Sequence, residues 1–538
     1  MRDDERLERL LERHVDGVLD DVERRELEDM LRASAHVRRA FWEHAKWNAA
    51  IRAWGESTWG ESGAGGAGNG SAGRSARESL LRWLSLGRGW RGRVASGLAL
   101  LVGSGFMIAA GVAWLRPVAF QPSASAAVFT GGYDDRTVPM ADVAVNTSRN
   151  MVQRLPVTTL RPQEETRLLS ASGAVIDVSG NAVLGLASPS VGVLYSGTVS
   201  TRSAADAAGY SIIASNLRIV DRGGSFRAVR VGDHGVVVSV QEGVVDVQSR
   251  IRLPVASWSF EAEDAVTRRS PSDDGGHAIM LSAGVEVVDG GVGSGGLRFD
   301  NTLDSFAMID RGTGPRVGSG SLASSVGITI EALIRPEWSG SKGDNDAIYR
   351  KEDGQYCVLL AFQNDSPLYD SLREPAVEAE QCLSFGLHLS GYGYRELDVP
   401  LDGRDGRPTL ASLKDGRYHH VAATYDSFSG RKCVFIDGRL VMEWQYPRGT
   451  IILSGGPAPA FVGSSAGQEN FTGVIDEFAI YDFTLSPAEV ADHATRARAG
   501  LPYHDDADAP RSRERWRSIK RLAAAESGVF DERHAPGG

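Results

Sequence analysis

The stretch Val94–Leu115, VASGLALLVGSGFMIAAGVAWL, limits what this chain can fold into more than any other. It lies between Arg93 and Arg116 and holds no charged residue. A helix of roughly 20 apolar residues spans a bilayer core. Gly97, Gly103, Gly105 and Gly111 would weaken a soluble helix but are ordinary in a membrane one. The stretch therefore reads as a transmembrane helix with the lipid bilayer as its partner; a buried core helix is the bland alternative. Before it stand Arg74, Arg77, Arg82, Arg88, Arg91 and Arg93 against Glu78, and after Arg116 no basic residue follows until Arg136. Basic flanks stay on the cytoplasmic side. The expectation is a single-pass bacterial inner-membrane protein, residues 1–93 cytoplasmic and 116–538 periplasmic. A cleaved signal would begin near the N-terminus instead.

A chain of 538 residues has room for about three or four domains. Its hydrophobic and charged fractions, 42% and 24%, are those of folded protein. A net charge of −11 gives no reason to expect nucleic acid. Cys357, Cys382 and Cys433 all fall on the expected outer side. Cys357 and Cys382 sit in neighbouring strand-like runs and are the leading pair for one disulfide, against three buried thiols. No two have metal-ligand spacing.

Residues 1–54 carry helical periodicity. Leu7, Leu11, His14, Val15 and Val18 form one apolar stripe; Leu27, Met30 and Leu31 form a second, after an Asp20/Glu23 capping pattern. Ser34 can cap a third helix bearing Val37 and Phe41. Three short helices make a small bundle, marginal alone. Its stripe (Leu7, Leu11, Val15, Leu27, Leu31, Phe41) is the candidate partner-binding surface, or simply the bundle's own core. Residues 55–93 are a Gly/Ser linker and a basic juxtamembrane stretch. The run Leu10-Leu11-Glu12-Arg13-His14-Val15-Asp16-Gly17-Val18-Leu19, then Glu23 to Leu31, then Val37-Arg38-Arg39-Ala40-Phe41, resembles the N-terminal part of FecR-type anti-sigma regulators. The resemblance implies a sigma factor as partner of residues 1–54. No cysteine precedes residue 357, so a zinc-type grip is absent.

In residues 116–255 the period changes to short β runs bounded by Gly, Asn, Asp or Ser, such as Ala174–Val178, Val191–Tyr195, Leu217–Val220 and Phe226–Val231. Val236 to Val247 reads as strand, Glu242-Gly243 turn, strand. That piece, with Ser170–Ile176, Ser188-Pro189-Ser190 and Gly224-Ser225-Phe226, is similar to the FecR β domain. The resemblance implies a sensor or scaffold with no catalytic residues.

Residues 256–498 form a further β unit. Its landmarks are Gly295-Gly296-Leu297-Arg298-Phe299-Asp300, Ile328-Thr329-Ile330-Glu331-Ala332-Leu333-Ile334-Arg335-Pro336, and Tyr418-His419-His420-Val421-Ala422. They continue with an Asp437-Gly438 hairpin, Gly473-Val474-Ile475-Asp476-Glu477 and Leu485-Ser486-Pro487-Ala488-Glu489, the last a capped helix start. In this order they resemble the LamG-like, concanavalin A-like jelly roll. That implies two stacked antiparallel sheets and a ligand, glycan or envelope protein, at a rim or on one face.

The fold class expected is thus multidomain: a small all-α segment, one transmembrane helix, an all-β FecR-like unit and an all-β sandwich. No enzyme is expected. Glucanases on this fold use a Glu-x-Asp-x-x-Glu strand, and no such spacing of carboxylates occurs in this chain. Asp476-Glu477 point to opposite faces. Gly463-Ser464-Ser465-Ala466-Gly467 spells a nucleophile elbow but has no helix after it. His419-His420 likewise diverge. Asp344 and Asp346 are the candidates for calcium, against a solvated loop; no other cofactor is expected. Residues 499–538 read as a charged tail, either a basic helix with Trp516, Ile519 and Leu522 on one side or a solvated end. The favoured function is a FecR-type regulator whose outer sandwich binds a ligand; the alternative is an envelope carbohydrate-binding or adhesion protein without a regulatory role.

Overall fold

In the computed structural model the described residues are 158–531, except 171–172, 189, 204–208, 262–267, 273–275, 303, 365–371, 378–379 and 505–514; the course of two earlier strands, Met140–Asn146 and Val152–Pro156, and the single positions Arg6, Leu10, Glu23 and Met30 are described as well. The chain divides into two compact units, Met1–Leu31 with Val37–Ala124, and Arg32–His36 with Ser125–Gly538. Every strand of the described residues lies in the second unit. Leu7, Leu11, Val15, Leu27, Leu31 and Phe41 lie outside the described residues.

The expectation of a single-pass inner-membrane protein is overturned. Among the described residues no helix is long and apolar enough to cross a membrane, and Val94–Leu115 is not among those residues. The localisation drawn from that stretch falls with it.

The described residues are mostly strand, gathered in three sheets of 13, eight and eight strands. The two eight-stranded sheets face each other as a sandwich. In strand Gly327–Pro336, Ile328, Ile330, Ala332 and Ile334 point into the core shared by both sheets, where they meet residues such as Leu360, Phe362, Phe385 and Leu387. The alternation follows from the period of two. The polar positions of this strand are not solvated, however. Helix Pro487–Arg498 and the segment leading into it cover them: His493 meets Glu331, and Thr329 Oγ1 donates to the Phe483 carbonyl (3.0 Å) and accepts from Leu485 N (2.9 Å). Asp437-Gly438 closes the hairpin Arg431–Ile436/Arg439–Gln445 with both φ values positive, 52° and 77°, as a type I′ turn requires.

The 13-stranded sheet holds the earlier β runs. Val236–Val247 is not a hairpin: Gly235–Arg250 runs on as one strand of 16 residues against Leu217–Val231. The pair bends where Gly224 and Gly243 meet. A Cβ on Gly243 would lie 1.8 Å from the Gly223 carbonyl oxygen, so the glycine permits close approach rather than reversal. Residues 516–523 and 527–531 of the tail are strand rather than the basic helix or solvated end expected there. Trp516–Ala523 and Ser527–Asp531 are strands on the far side of Gly235–Arg250.

None of the three cysteines is in a disulfide, and all three are buried. Cys382 pairs across the ladder with Gln363, six positions from Cys357, which is about 20 Å at strand rise; the disulfide cannot form in this register.

Candidate ligand-binding face

One eight-stranded sheet turns its outer face away from the sandwich core, and ladder pairing lines up a single row across it. Arg269 pairs with Met280, Met280 with Met308, Met308 with Phe461, and Phe461 with Arg350. The row continues from Arg350 to Leu359, Gly386 and Glu396. Since alternate residues share a face, the neighbours Ile279, Ile309, Val462 and Leu360 point inward to the core.

The two ends of the row differ. At one end Met280 is 40% exposed, and Met308, Phe306 and Phe461 are half-buried. Phe306 and Phe461 meet edge to face, ring centres 6.1 Å apart. Charged pairs frame this apolar strip. Arg269 is bound to Asp310, and Arg350 is held by Glu352 (Nε to Oε2, 2.8 Å) and Glu469 (2.7 Å). At the other end the face is closed. Tyr394 lies over Gly386, where a Cβ would come within 2.0 Å of its hydroxyl, and donates to Glu396 (2.8 Å). Arg373, backbone-bridged to Glu396, pairs with buried Asp398 at 2.7 Å.

Glu396-Leu397-Asp398 is the signal that sequence reading passed over. It spells the first two positions of Glu-x-Asp-x-x-Glu, and both residues point to the outer face with Gly386 and Ser384. The third position is Leu401, which is buried. Asp398 pairs with Arg373, and Glu396 accepts from the Tyr394 hydroxyl.

On the opposite side of the sandwich lies a second cluster. Glu331 is fully buried between strand and helix. His420 Nε2 lies 3.1 Å from Oε2, His493 Nδ1 lies 3.0 Å from Oε1, and the Tyr481 hydroxyl donates to Oε1. Tyr503 stacks on His493 at 5.3 Å. Burial opposes the charge on Glu331, but the His493 charge and the hydrogen bonds from His420 and His493 outweigh it and hold the carboxyl well below its usual range. Burial pulls the His493 imidazole down, yet Glu331 wins and raises it. This arrangement seats the helix on the sheet. Sequence offered Glu331 and His420 on separate strands, with nothing to join them to each other or to His493.

The calcium candidates are adjacent but poorly equipped. Asp346 Oδ2 accepts from Thr472 N (2.7 Å) and Oδ1 has no partner. Asp344 is engaged by the Ser339 hydroxyl and by Asn301 at 3.4 Å. Burial, with the Asp344 charge beside it, pushes Asp346 up to about 8. Among the described residues no group of three or more His, Cys, Asp or Glu is placed to hold a metal. His419 faces away from His420, toward Asp437 (2.9 Å) and Asp415 (3.3 Å). Asp476 clamps a turn through Gly291 N (2.9 Å) and Val292 N (3.0 Å). Ser464 caps its own loop through Gly467 N (2.7 Å).

Residues 312–491 match the family model described as Concanavalin A-like lectin/glucanases superfamily, so this part of the chain is a LamG-like domain. A curated relative, adhesion G protein-coupled receptor D2 of Homo sapiens, is 33% identical over 103 residues; these cover 18% of this chain and 10% of the receptor. The chain thus spans about a tenth of that relative. Among solved structures, domain 4 of the arabinanase AbnA from Geobacillus stearothermophilus, in complex with arabinotriose, is 19% identical, with 44% of this chain and 97% of that one covered and a TM-score of 0.29. The binding domain of Paraclostridial Mosquitocidal Protein 1 is 15% identical, covering 44% and 51%, TM-score 0.31. The Botulinum neurotoxin serotype G binding domain is 12% identical, covering 45% and 51%, TM-score 0.33.

Proposed function

We propose that this chain is a binding protein whose LamG-like sandwich takes a glycan across the strip Phe306, Met308, Phe461 and Met280. What carries the reading is the cross-sheet row itself, with half-exposed aromatic and thioether surface at one end and charged pairs beside it. Sugar rings present apolar C–H faces to such rings and hydroxyls to the carboxylates and guanidinium groups around them. A protein ligand of the same chemistry is the other occupant. The sandwich is read as non-catalytic, because Asp398 is locked to Arg373 and Leu401 stands where a third carboxylate is needed.

The FecR-type resemblance of residues 1–54 and 116–255 adds a regulatory role, with a sigma factor held by residues 1–54. The earlier β unit packs directly on the sandwich, Tyr195 OH to Ser427 Oγ at 3.0 Å and Arg250 to Asp482 at 2.9 Å, and in this reading a ligand on the sandwich would act through those contacts. The alternative is an adhesion or carbohydrate-binding protein with no such role. Glycan-array screening of the full chain, followed by calorimetry of Phe461→Ala, tests the first part. The variant should bind at least about tenfold more weakly, roughly 1.4 kcal/mol, with melting unchanged. Full binding by Phe461→Ala, or β-glucan hydrolysis by the wild type, would refute it. Recovery of a sigma factor with the intact chain tests the second.

A further inference from the structure

Residues 516–531 follow the whole length of strand Gly235–Arg250. Trp516–Ala523 pairs with its second half and Ser527–Asp531 with its first. Among the described residues neither piece pairs with any other strand. A strand with one neighbour turns alternate backbone N–H and C=O groups outward. Folded proteins keep such edges short. Here three other sheet ends are closed by strands of only three residues, Thr158–Leu160, Arg269–Pro271 and Glu286–Val288, and the far ends of the two eight-stranded sheets by Arg439–Gln445 and Gly393–Pro400, of seven and eight. The C-terminal edge is long, and its second half presents Val529 at 77% exposure.

Charge along this edge is antisymmetric. Exposed Arg517, Lys520 and Arg521 occupy the first half, exposed Glu526 and half-buried Asp531 the second, and Ala523-Ala524-Ala525 the middle. At Ala525, with φ at 68°, the strand turns, and Ala525 N and Glu526 N bond within the chain. The two halves are therefore separate pairing segments about a central hinge. A two-fold axis at Ala524 sets the edge antiparallel to a copy of itself. Arg517 then faces Asp531, and Arg521 faces Ser527 beside Glu526, at both ends at once. A parallel partner would set like charge against like.

We propose that this edge is a self-association surface, on which two copies of the chain join by antiparallel pairing of residues 517–522 of each with 526–531 of the other. The contact is isologous, so it closes at the dimer and does not propagate.

The test uses the full chain and two charge-reversed variants. Arg517→Glu/Arg521→Glu turns the basic half acidic; Glu526→Arg/Asp531→Arg makes the edge wholly basic. Light scattering should give twice the chain mass for wild type, the single-chain mass for each variant alone, and the doubled mass again for their equimolar mixture. The mixture also shows that both variants are folded. Mild oxidation of Ala524→Cys should give a disulfide-linked dimer, and Ala283→Cys, exposed elsewhere, should not. A monomeric wild type overturns the proposal. So does a dimer that persists in both variants and fails to cross-link at Ala524.

Discussion

Glu331 and Asp346 are buried carboxyls of one sandwich, and their surroundings drive them to opposite states. Glu331 stays ionised because His493, His420 and Tyr481 replace the water it lost. A carboxyl held low stabilises the fold at any pH above its unfolded value, and an imidazole held high does so below its own. Both conditions are met between about 4.3 and 6.5, so the seam is strongest in mild acid. It weakens as pH rises through the elevated His493 value. We expect Glu331→Gln to cost about 3–5 kcal/mol at pH 6, the usual consequence of stripping one partner from a buried charge cluster. Urea denaturation reads it, and an unmoved midpoint would contradict this account. Asp346 has the reverse sign. Its folded carboxyl, pushed up to about 8, keeps a proton that the unfolded chain releases near 4. Stability therefore drains away as pH climbs between those values. Asp346→Asn removes the drain: its melting point should match wild type at pH 4 and exceed it at pH 8. Equal melting points at pH 8 would rule the mechanism out.

At the scale of elements, helix Pro487–Arg498 was written plainly in the chain. Ser486 accepts from Glu489 N and Glu489 accepts from Ser486 N, the box that Ser-x-x-Glu spells. Ser486→Ala should lower stability by about 1 kcal/mol, and a loss below a few tenths would mean that packing alone holds the helix. The sandwich was legible only through resemblance, in landmarks such as Ile328-Thr329-Ile330-Glu331 and Tyr418-His419-His420 standing in LamG-like order. What the helix covers was not, since nothing local says that Glu331 and His493 will meet across more than a hundred residues. The C-terminal strand misled for a definite reason. Trp516, Ile519 and Leu522 are three apart, a helical spacing. In the ladder a bulge between Val247 and Gln248 leaves Ile519 as the extra residue, so Ile519 packs on the same core that takes Leu522. One bulge turned a period of two into an apparent period of three. The binding row was out of reach for another reason: its residues lie between positions 269 and 461, and only strand pairing brings them together.

At the scale of the whole molecule, the sandwich and the sheet before it share side chains. Tyr356, Ile451 and Leu453 belong by sequence to the sandwich but pack in the core of the earlier β unit. Arg448 reaches Asp233 at 2.6 Å, and Arg252 reaches Glu489 at 2.7 Å. Arg250 is the tightest point. Its buried guanidinium pairs with Asp482 and stacks against Trp516, 4.3 Å from the ring centre, while Arg515 approaches the other Asp482 oxygen at 3.0 Å. The end of the earlier β unit, the close of the sandwich and the C-terminal strand therefore converge on one charged knot. Elements joined this way should open together. Native-state hydrogen exchange on the full chain is expected to give the amides of Gly235–Arg250 and Gly473–Tyr481 the same opening free energy. Arg250→Ala takes the buried partner from Asp482 and the platform from Trp516. Gly235–Arg250 should then exchange by a lower-energy opening while Gly473–Tyr481 keeps its protection. If the two strands already differ in wild type, or fall together in Arg250→Ala, the knot does not couple them, and the sandwich could not pass a binding event to the sheet before it by this route.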